Sequence, residues 1–141
     1  MFIKQVSVFV ENNPGSASDI IDTLSNEGIN IRAMAIADTS EYGIMRLIAD
    51  DPDRAKAVLL ERGIMVKRTR VFAVPLEDKP GGLAEILHIL KKENISVEYM
   101  YAFVGKNHGK AVVVIKTDNT ELTEEVLKLN NISTLCTSEL I

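Results

Sequence analysis

The chain is short of most residues that carry chemistry. One cysteine, Cys136, occurs in 141 residues, so no intrachain disulfide can form. It lies in an apolar C-terminal stretch and reads as a buried, inert thiol rather than a nucleophile. There are two histidines. His88 falls off the apolar stripe Leu83/Ile86/Leu87/Leu90 and reads as a solvated surface residue. His108 sits in a hairpin tip, with no cysteine or carboxylate at ligand spacing. Neither a metal site nor a cofactor is expected. No Ser/His/Asp or Cys/His arrangement suggests itself, so no catalytic residue and no enzyme activity is expected. The G-x-x-x-x-G-K-S/T pattern of a phosphate-binding loop is missing. No apolar run approaches a membrane span, and the opening residues alternate like a strand instead of forming a signal-peptide core. With a lone cysteine, the expectation is a soluble cytoplasmic protein with no membrane partner. Basic residues are also few: 16 Lys and Arg against 20 Asp and Glu leave a net charge of −4. Their one cluster, Lys67, Arg68 and Arg70, reads as a solvated strand end. Phosphate neutralisation needs clustered cations, so no nucleic-acid partner is expected.

What the chain does have is a repeat. Displaced on itself by 66 residues, it shows Val8/Val74, Glu11/Glu77, Pro14/Pro80, Gly15/Gly81, Ile20/Ile86, Leu24/Leu90, Glu27/Glu93, Ile29/Ile95, Met34/Met100 and Gly43/Gly109. A last helix aligns after a two-residue slip, Val58-Leu59 onto Val126-Leu127 and Ile64 onto Ile132. Self-similarity at a fixed period decides the domain organisation before any other signal. Two copies make a duplicated domain, 1–69 and 70–141.

Each copy carries the same punctuation. Ile3 to Val10 alternates as a strand does, and Asn12-Asn13-Pro14-Gly15 breaks it. Ala17, Ile20, Ile21 and Leu24 follow at helical spacing, matched by Leu83, Ile86, Leu87 and Leu90. Gly28 stops the first of these helices, and Asn94 the second, each suited to the left-handed conformation. Strands are expected over Ile29–Ala37 and Ile44–Ala49, then over Ile95–Val104 and Ala111–Ile115. Asp51-Pro52 opens a second helix in the first copy, with Asp as N-cap and Pro at the first helical position. Asp118 is placed to do so in the second copy, with Glu121 completing a capping box. Gly63 ends the helix of the first copy. Last strands are expected near Met65–Thr69 and Ser133–Leu140. The order strand-helix-strand-strand-helix-strand predicts an α+β fold: two ferredoxin-like βαββαβ sandwiches in tandem, each an antiparallel sheet with its helices on one face.

The loops at the helix starts resemble those of a known family. Asp78-Lys79-Pro80-Gly81-Gly82-Leu83-Ala84 and Asn12-Asn13-Pro14-Gly15 follow first strands, and Asn94-Ile95-Ser96-Val97 and Gly28-Ile29-Asn30-Ile31 lead into second strands. This pattern is similar to the ACT domain, an amino-acid-sensing regulatory module, here as a free-standing tandem. The resemblance implies a free amino acid bound where modules meet, and a metabolic enzyme as a possible partner. It marks Asn12, Asn13, Gly15, Ser16 and Asn30 in the first copy, and Asp78, Gly81, Gly82, Leu83 and Ser96 in the second. The first copy departs from the family loop, with Asn for Asp and Ala17 for Leu, which leaves open whether one or both sites bind.

Physical chemistry supports the same loops. A helix N-terminus offers unpaired N–H groups and the positive end of a dipole, to which an α-carboxylate is suited. Glycine leaves that backbone accessible, while Asp78 or the Asn12 and Asn13 amides accept from an α-ammonium. The opposing reading is that Pro-Gly is turn chemistry alone. On the second strands, Tyr99, Tyr101 and Phe103 share a face, and Ala33, Ala35 and Ala37 are their repeat partners. They read as two sides of a contact, between the modules or in a homodimer. Met34 and Met100, on the other face, are assigned to the helix-covered core. Val112–Ile115 is apolar on both faces, as a doubly covered strand is. RNA-recognition modules share this strand-helix order but stack bases on aromatics of the first and third strands; Ile44–Ile48 and Ala111–Ile115 have none. RNA binding is thus a remote alternative, and a scaffold that regulates an enzyme by contact alone remains open.

Overall fold

The structure is a computed structural model of the chain and describes residues 1–38, 42–104 and 110–140, apart from the Asp38 side chain. The hairpin tips at Ser40-Glu41 and Lys106–Gly109, with His108, lie outside these residues. The chain forms two compact units, Lys4–Thr69 and Arg70–Ile141, the latter joined by Met1–Ile3.

In the first unit, β1 (Ile3–Glu11), α1 (Ser16–Asn26), β2 (Ile31–Asp38), β3 (Tyr42–Ala49) and α2 (Pro52–Glu61) lead into β4 (Val66–Glu77). The strands are ordered β2-β3-β1-β4. β3 pairs antiparallel with both β1 and β2, with Val8 opposite Met45 and Met34 opposite Leu47. Alternation puts Val6, Val8, Val10, Met45, Leu47 and Ala49 on one face. There Ile20 and Leu24 of α1 and Ala55 and Leu59 of α2 bury them, so both helices cover the same side of the sheet. Leu24 and Leu59 are fully buried. The helix stripes recur at three- and four-residue spacing, which is why one face of each helix suffices. On the opposite face Gln5 and Ser7 are also buried, bonded to each other at 3.0 Å, and Ser7 meets the Thr69 hydroxyl at 3.0 Å.

The second unit repeats the plan. The C-terminal part of β4 pairs antiparallel with β6 (Lys110–Thr117), which pairs antiparallel with β5 (Val97–Val104). α3 (Gly82–Lys92) and α4 (Thr120–Leu129) place Ile86, Leu90, Val126 and Leu127 over Phe72, Val74, Val113 and Ile115. The expected doubly covered run is buried throughout, Val112 to Ile115.

The helix stops follow the sequence reading. Gly28 and Gly63 lie at φ 71° and 73°, and Asn94 at φ 56°; Asn131, which the sequence reading did not single out, ends α4 in the same way at φ 56°. Asp51 caps α2, its carboxylate accepting from the Arg54 N–H at 3.1 Å.

Five expectations need correction. The strand awaited at Ser133–Leu140 is a single bridge between Leu135 and Ala73, followed by a 3-10 turn over Thr137–Leu140. The last strand of the first copy does not end near Thr69: it continues into the first strand of the second copy as β4. The cap of α4 is Asn119, which accepts from the Leu122 N–H at 3.0 Å; Asp118 instead accepts from the Ser96 N–H at 3.1 Å. Met34 and Met100 are 44% and 39% exposed, not core. Both lie on the terminal strands of the hydrogen-bonded order, where the helix layer does not reach. Cys136 is half-buried, with its sulfur 3.0 Å from the Ser138 hydroxyl.

The registers also relocate the slip in the repeat. Val8 faces Met45 and Val74 faces Val113, an offset of 68 already in the third strand. The two extra residues therefore belong to the hairpin after β5. Gly43 is equivalent to Ala111, and its identity with Gly109 is coincidental.

Candidate functional site

The Pro-Gly loops have the same construction in both units. Gly15 and Gly81 each occupy the N-cap position at φ 87°, in the left-handed region. A Cβ added to either would meet open space, so the backbone conformation, not crowding, calls for glycine. Gly82 differs: a Cβ there would collide with the Glu77 carbonyl oxygen. Its glycine closes the loop, while the equivalent Ser16 carries a side chain. Neither cap supplies a side-chain acceptor to its helix. The Ser16 N–H reaches the Asn13 carbonyl at 3.2 Å, and the Asp19 N–H reaches the Gly15 carbonyl at 2.9 Å. Between them, the Ala17 and Ser18 N–H groups have no partner among the described residues. The second unit matches: Gly82 donates to Lys79 and Glu85 to Gly81, which leaves Leu83 and Ala84 open. Each 11-residue helix thus presents unpaired N–H groups at its positive end.

The remaining expected residues divide into two sets. Asn12, Asn13 and Gly15 are exposed beside a half-buried Ser16; Asp78 and Gly81 are exposed beside a half-buried Gly82. The Leu83 side chain packs against the apolar core, so only its backbone faces the loop. Asn30 and Ser96 lie at the other end of their units. Their N–H groups donate to the Asp50 and Asp118 carboxylates, each at 3.1 Å, and tie the second strand to the end of the third. An 11-residue helix spans about 16 Å. Within one unit Asn30 is therefore not brought to the Asn12–Ser16 loop, nor Ser96 to the Asp78–Leu83 loop.

Beside each helix start opens a cleft that the sequence reading missed. In the first unit it has a volume of about 500 Å³, between the end of β1, the first turns of α1 and the Gly63–Met65 connection. Phe9 and Tyr42 form one wall, their ring centroids 5.9 Å apart. Glu11 and Asp19 bring carboxylates to it. In the second unit the corresponding cleft, of about 340 Å³, is lined by Pro75, Glu77, Lys79, Gly82, Glu85 and Ile132 among others. There the Lys79 ammonium sits 2.6 Å from Glu77. This hydrogen bond and charge hold the Glu77 carboxyl below its usual range and raise Lys79 above its own. The equivalent Glu11 is met by the neutral Asn13 amide at 3.1 Å. The signal for the cleft was the pairing of Glu11 with Tyr42 across β1 and β3, legible only once the register is known.

The two arginines of the cationic run are spent on exposed ion pairs: Arg68, with Lys4, holds Asp53, and Arg70 holds Glu121 at 2.8 Å. His88 is exposed. Among the described residues there is no cluster of three or more His, Cys, Asp or Glu able to hold a metal, and no helix long and apolar enough to cross a membrane.

Comparison with known proteins follows the same lines. No curated protein matches the sequence. A protein from Bacteroides thetaiotaomicron of known structure is 37% identical, with a TM-score of 0.92 over 99% of this chain and 96% of that one. The regulatory subunit of aspartate kinase from Thermus thermophilus shares the fold at 15% identity, with a TM-score of 0.61 over 89% of this chain and 87% of that one. The same subunit from Thermus flavus has 17% identity and a TM-score of 0.59, over 89% and 88% of the two chains. The model of the ACT domain pair matches residues 1–141, and the chain belongs to that family.

Proposed function

We propose that this chain is a non-catalytic regulatory protein that binds a free amino acid at the start of the first helix of a module. The observation that carries this reading is the pair of open N–H groups at Ala17-Ser18 and again at Leu83-Ala84, beneath a left-handed glycine cap in both copies. Such a terminus takes a carboxylate without a cationic side chain. The exposed loop residues Asn12, Asn13 and Asp78 supply acceptors for the α-ammonium. Membership in the ACT domain pair family supports the reading. So does the fold shared with regulatory subunits of aspartate kinase, which makes a biosynthetic enzyme a fitting partner.

Thermal-shift titration of the full chain against the free amino acids tests it. A ligand at 100 times its Kd adds about 2.7 kcal/mol of stability. In the second module, Asp78→Ala is expected to weaken binding by about 1.5–3 kcal/mol if its carboxylate meets the ammonium. If no amino acid shifts the transition, the sensing role is wrong.

A second reading is favoured by the exposed apolar side chains of the terminal strands: Met34 and Ile36 on β2, Met100 and Val104 on β5. A strand edge with apolar neighbours suits pairing with a second copy or with an enzyme. In that reading the chain regulates by contact alone, and association persists with no amino acid present.

A further inference from the structure

The two clefts beside the helix starts occupy equivalent places but differ in chemistry. In the second module the carboxylate at the end of the first strand is already neutralised, because Lys79 bonds Glu77. Lys110 also stands opposite Glu77 across the strand pair. In the first module Asn13 replaces Lys79 and Tyr42 replaces Lys110. The Glu11 carboxylate there has no cation partner among the described residues, and neither has Asp19. Phe9 and Tyr42 are 40% and 46% exposed, and Met65 is 67% exposed. A cleft of about 500 Å³ with apolar walls and a few directed polar groups is of the size that takes a small molecule.

We infer that the first-module cleft selects an amino acid with a large apolar side chain, its ammonium at Glu11 and the Asn13 amide bonded beside it, and its side chain against Phe9, Tyr42 and Met65. The inference rests on the amino-acid reading above and adds a specificity to it. Charge decides the polar end. The ligand ammonium takes at Glu11 the place that Lys79 takes at Glu77. Shape and apolar area decide the other end, since a ring or branched chain covers aromatic surface that otherwise meets water. The second module has its cation built in and has proline at the position of Phe9, so it does not share this preference.

Calorimetric titration of the full chain with L-phenylalanine, L-leucine, L-serine and L-lysine tests the assignment, in the wild type and in Tyr42→Ala, Tyr42→Phe, Glu11→Gln and Lys79→Gln. All four substitutions are at exposed positions, and unchanged thermal transitions confirm that the variants fold. Phenylalanine or leucine should bind at least about tenfold more tightly than serine or lysine. Tyr42→Ala and Glu11→Gln should each weaken that binding by about tenfold, while Tyr42→Phe and Lys79→Gln leave it in place. If serine or lysine is the tightest ligand and Tyr42→Ala leaves its affinity unchanged, the specificity is wrong and the helix-start site stands. Loss of phenylalanine binding in Lys79→Gln but not in Tyr42→Ala moves the site to the second module and overturns the inference. If none of the amino acids binds, the inference falls together with the amino-acid reading.

Discussion

The two modules differ least where the backbone is under constraint and most where side chains face solvent. Both place glycine at φ 87° before the first helix. Both end their helices on a left-handed residue, Gly28 and Gly63 in one, Asn94 and Asn131 in the other. Both cap the second helix with a short acceptor, Asp51 or Asn119. The residue changes, but the conformation or hydrogen bond is kept. Around the clefts the opposite holds: Asn13 and Tyr42 stand where Lys79 and Lys110 stand, and nothing in the backbone requires either pair. Duplicated scaffolds with unlike clefts suit a protein in which one module has a role the other lacks.

Three perturbations sharpen this comparison. The largest effect is expected in the cores. Leu24→Ala and Leu90→Ala remove equivalent side chains that are 0% and 1% exposed. Each should cost about 2–5 kcal/mol by denaturant unfolding, by lost burial plus the cavity left behind. A cost near zero for one of the two would show that its module contributes little to cooperative stability.

A smaller effect is expected at the caps. Asp51→Ala and Asn119→Ala each remove the acceptor for an N–H in the first turn, and each should cost about 1 kcal/mol. Similar values in thermal unfolding would confirm that the two residues serve one purpose. A null result at Asn119 would return the capping role to Asp118.

The smallest effect is electrostatic. Asp53 and Glu121 are equivalent, and both carboxyls are held below their usual range. At Asp53 the cause is hydrogen bonding first from Arg68 and then from Lys4. At Glu121 it is its own backbone N–H first and then Arg70. A depressed carboxyl stabilises the fold above its unfolded pKa, and that contribution is lost as the pH falls through the folded value. For Asp53 the loss therefore comes below its ordinary value of 3.8, and for Glu121 below 4.5. Asp53→Asn and Glu121→Gln should lower the melting temperature slightly near neutral pH and match the wild type in strong acid. Because both groups are exposed, added salt should shrink the difference. A difference that persists in strong acid would assign the effect to packing instead of charge.

Local rules made much of this protein legible from its residues alone. The helix stripes at Ile20/Leu24 and Ile86/Leu90, the Asp51-Pro52 start and the left-handed stops each depend on neighbours within a few positions, and the repeat shows when the chain is compared with itself. Such signals survive without a fold. The helix starts at Gly15 and Gly81 were visible for the same reason, as glycine and proline act on their own backbone.

What the tertiary structure decided is everything that depends on which strand lies beside which. Met34 and Met100 have the hydrophobicity and the repeat conservation of core residues, yet the strand order puts them at terminal positions and leaves them exposed. Ser133–Leu140 reads as a strand, but only Leu135 bonds to Ala73 before the chain turns. The register put the two-residue slip in the hairpin of the second copy, so that Lys110 stands opposite Glu77 where Tyr42 stands opposite Glu11. Asn30 and Ser96, close in sequence pattern to the helix-start loops, were sent to the far end by the length of the helix between. Pairing across strands is a non-local choice made by the whole sheet, so residue spacing along the chain holds no direct record of it.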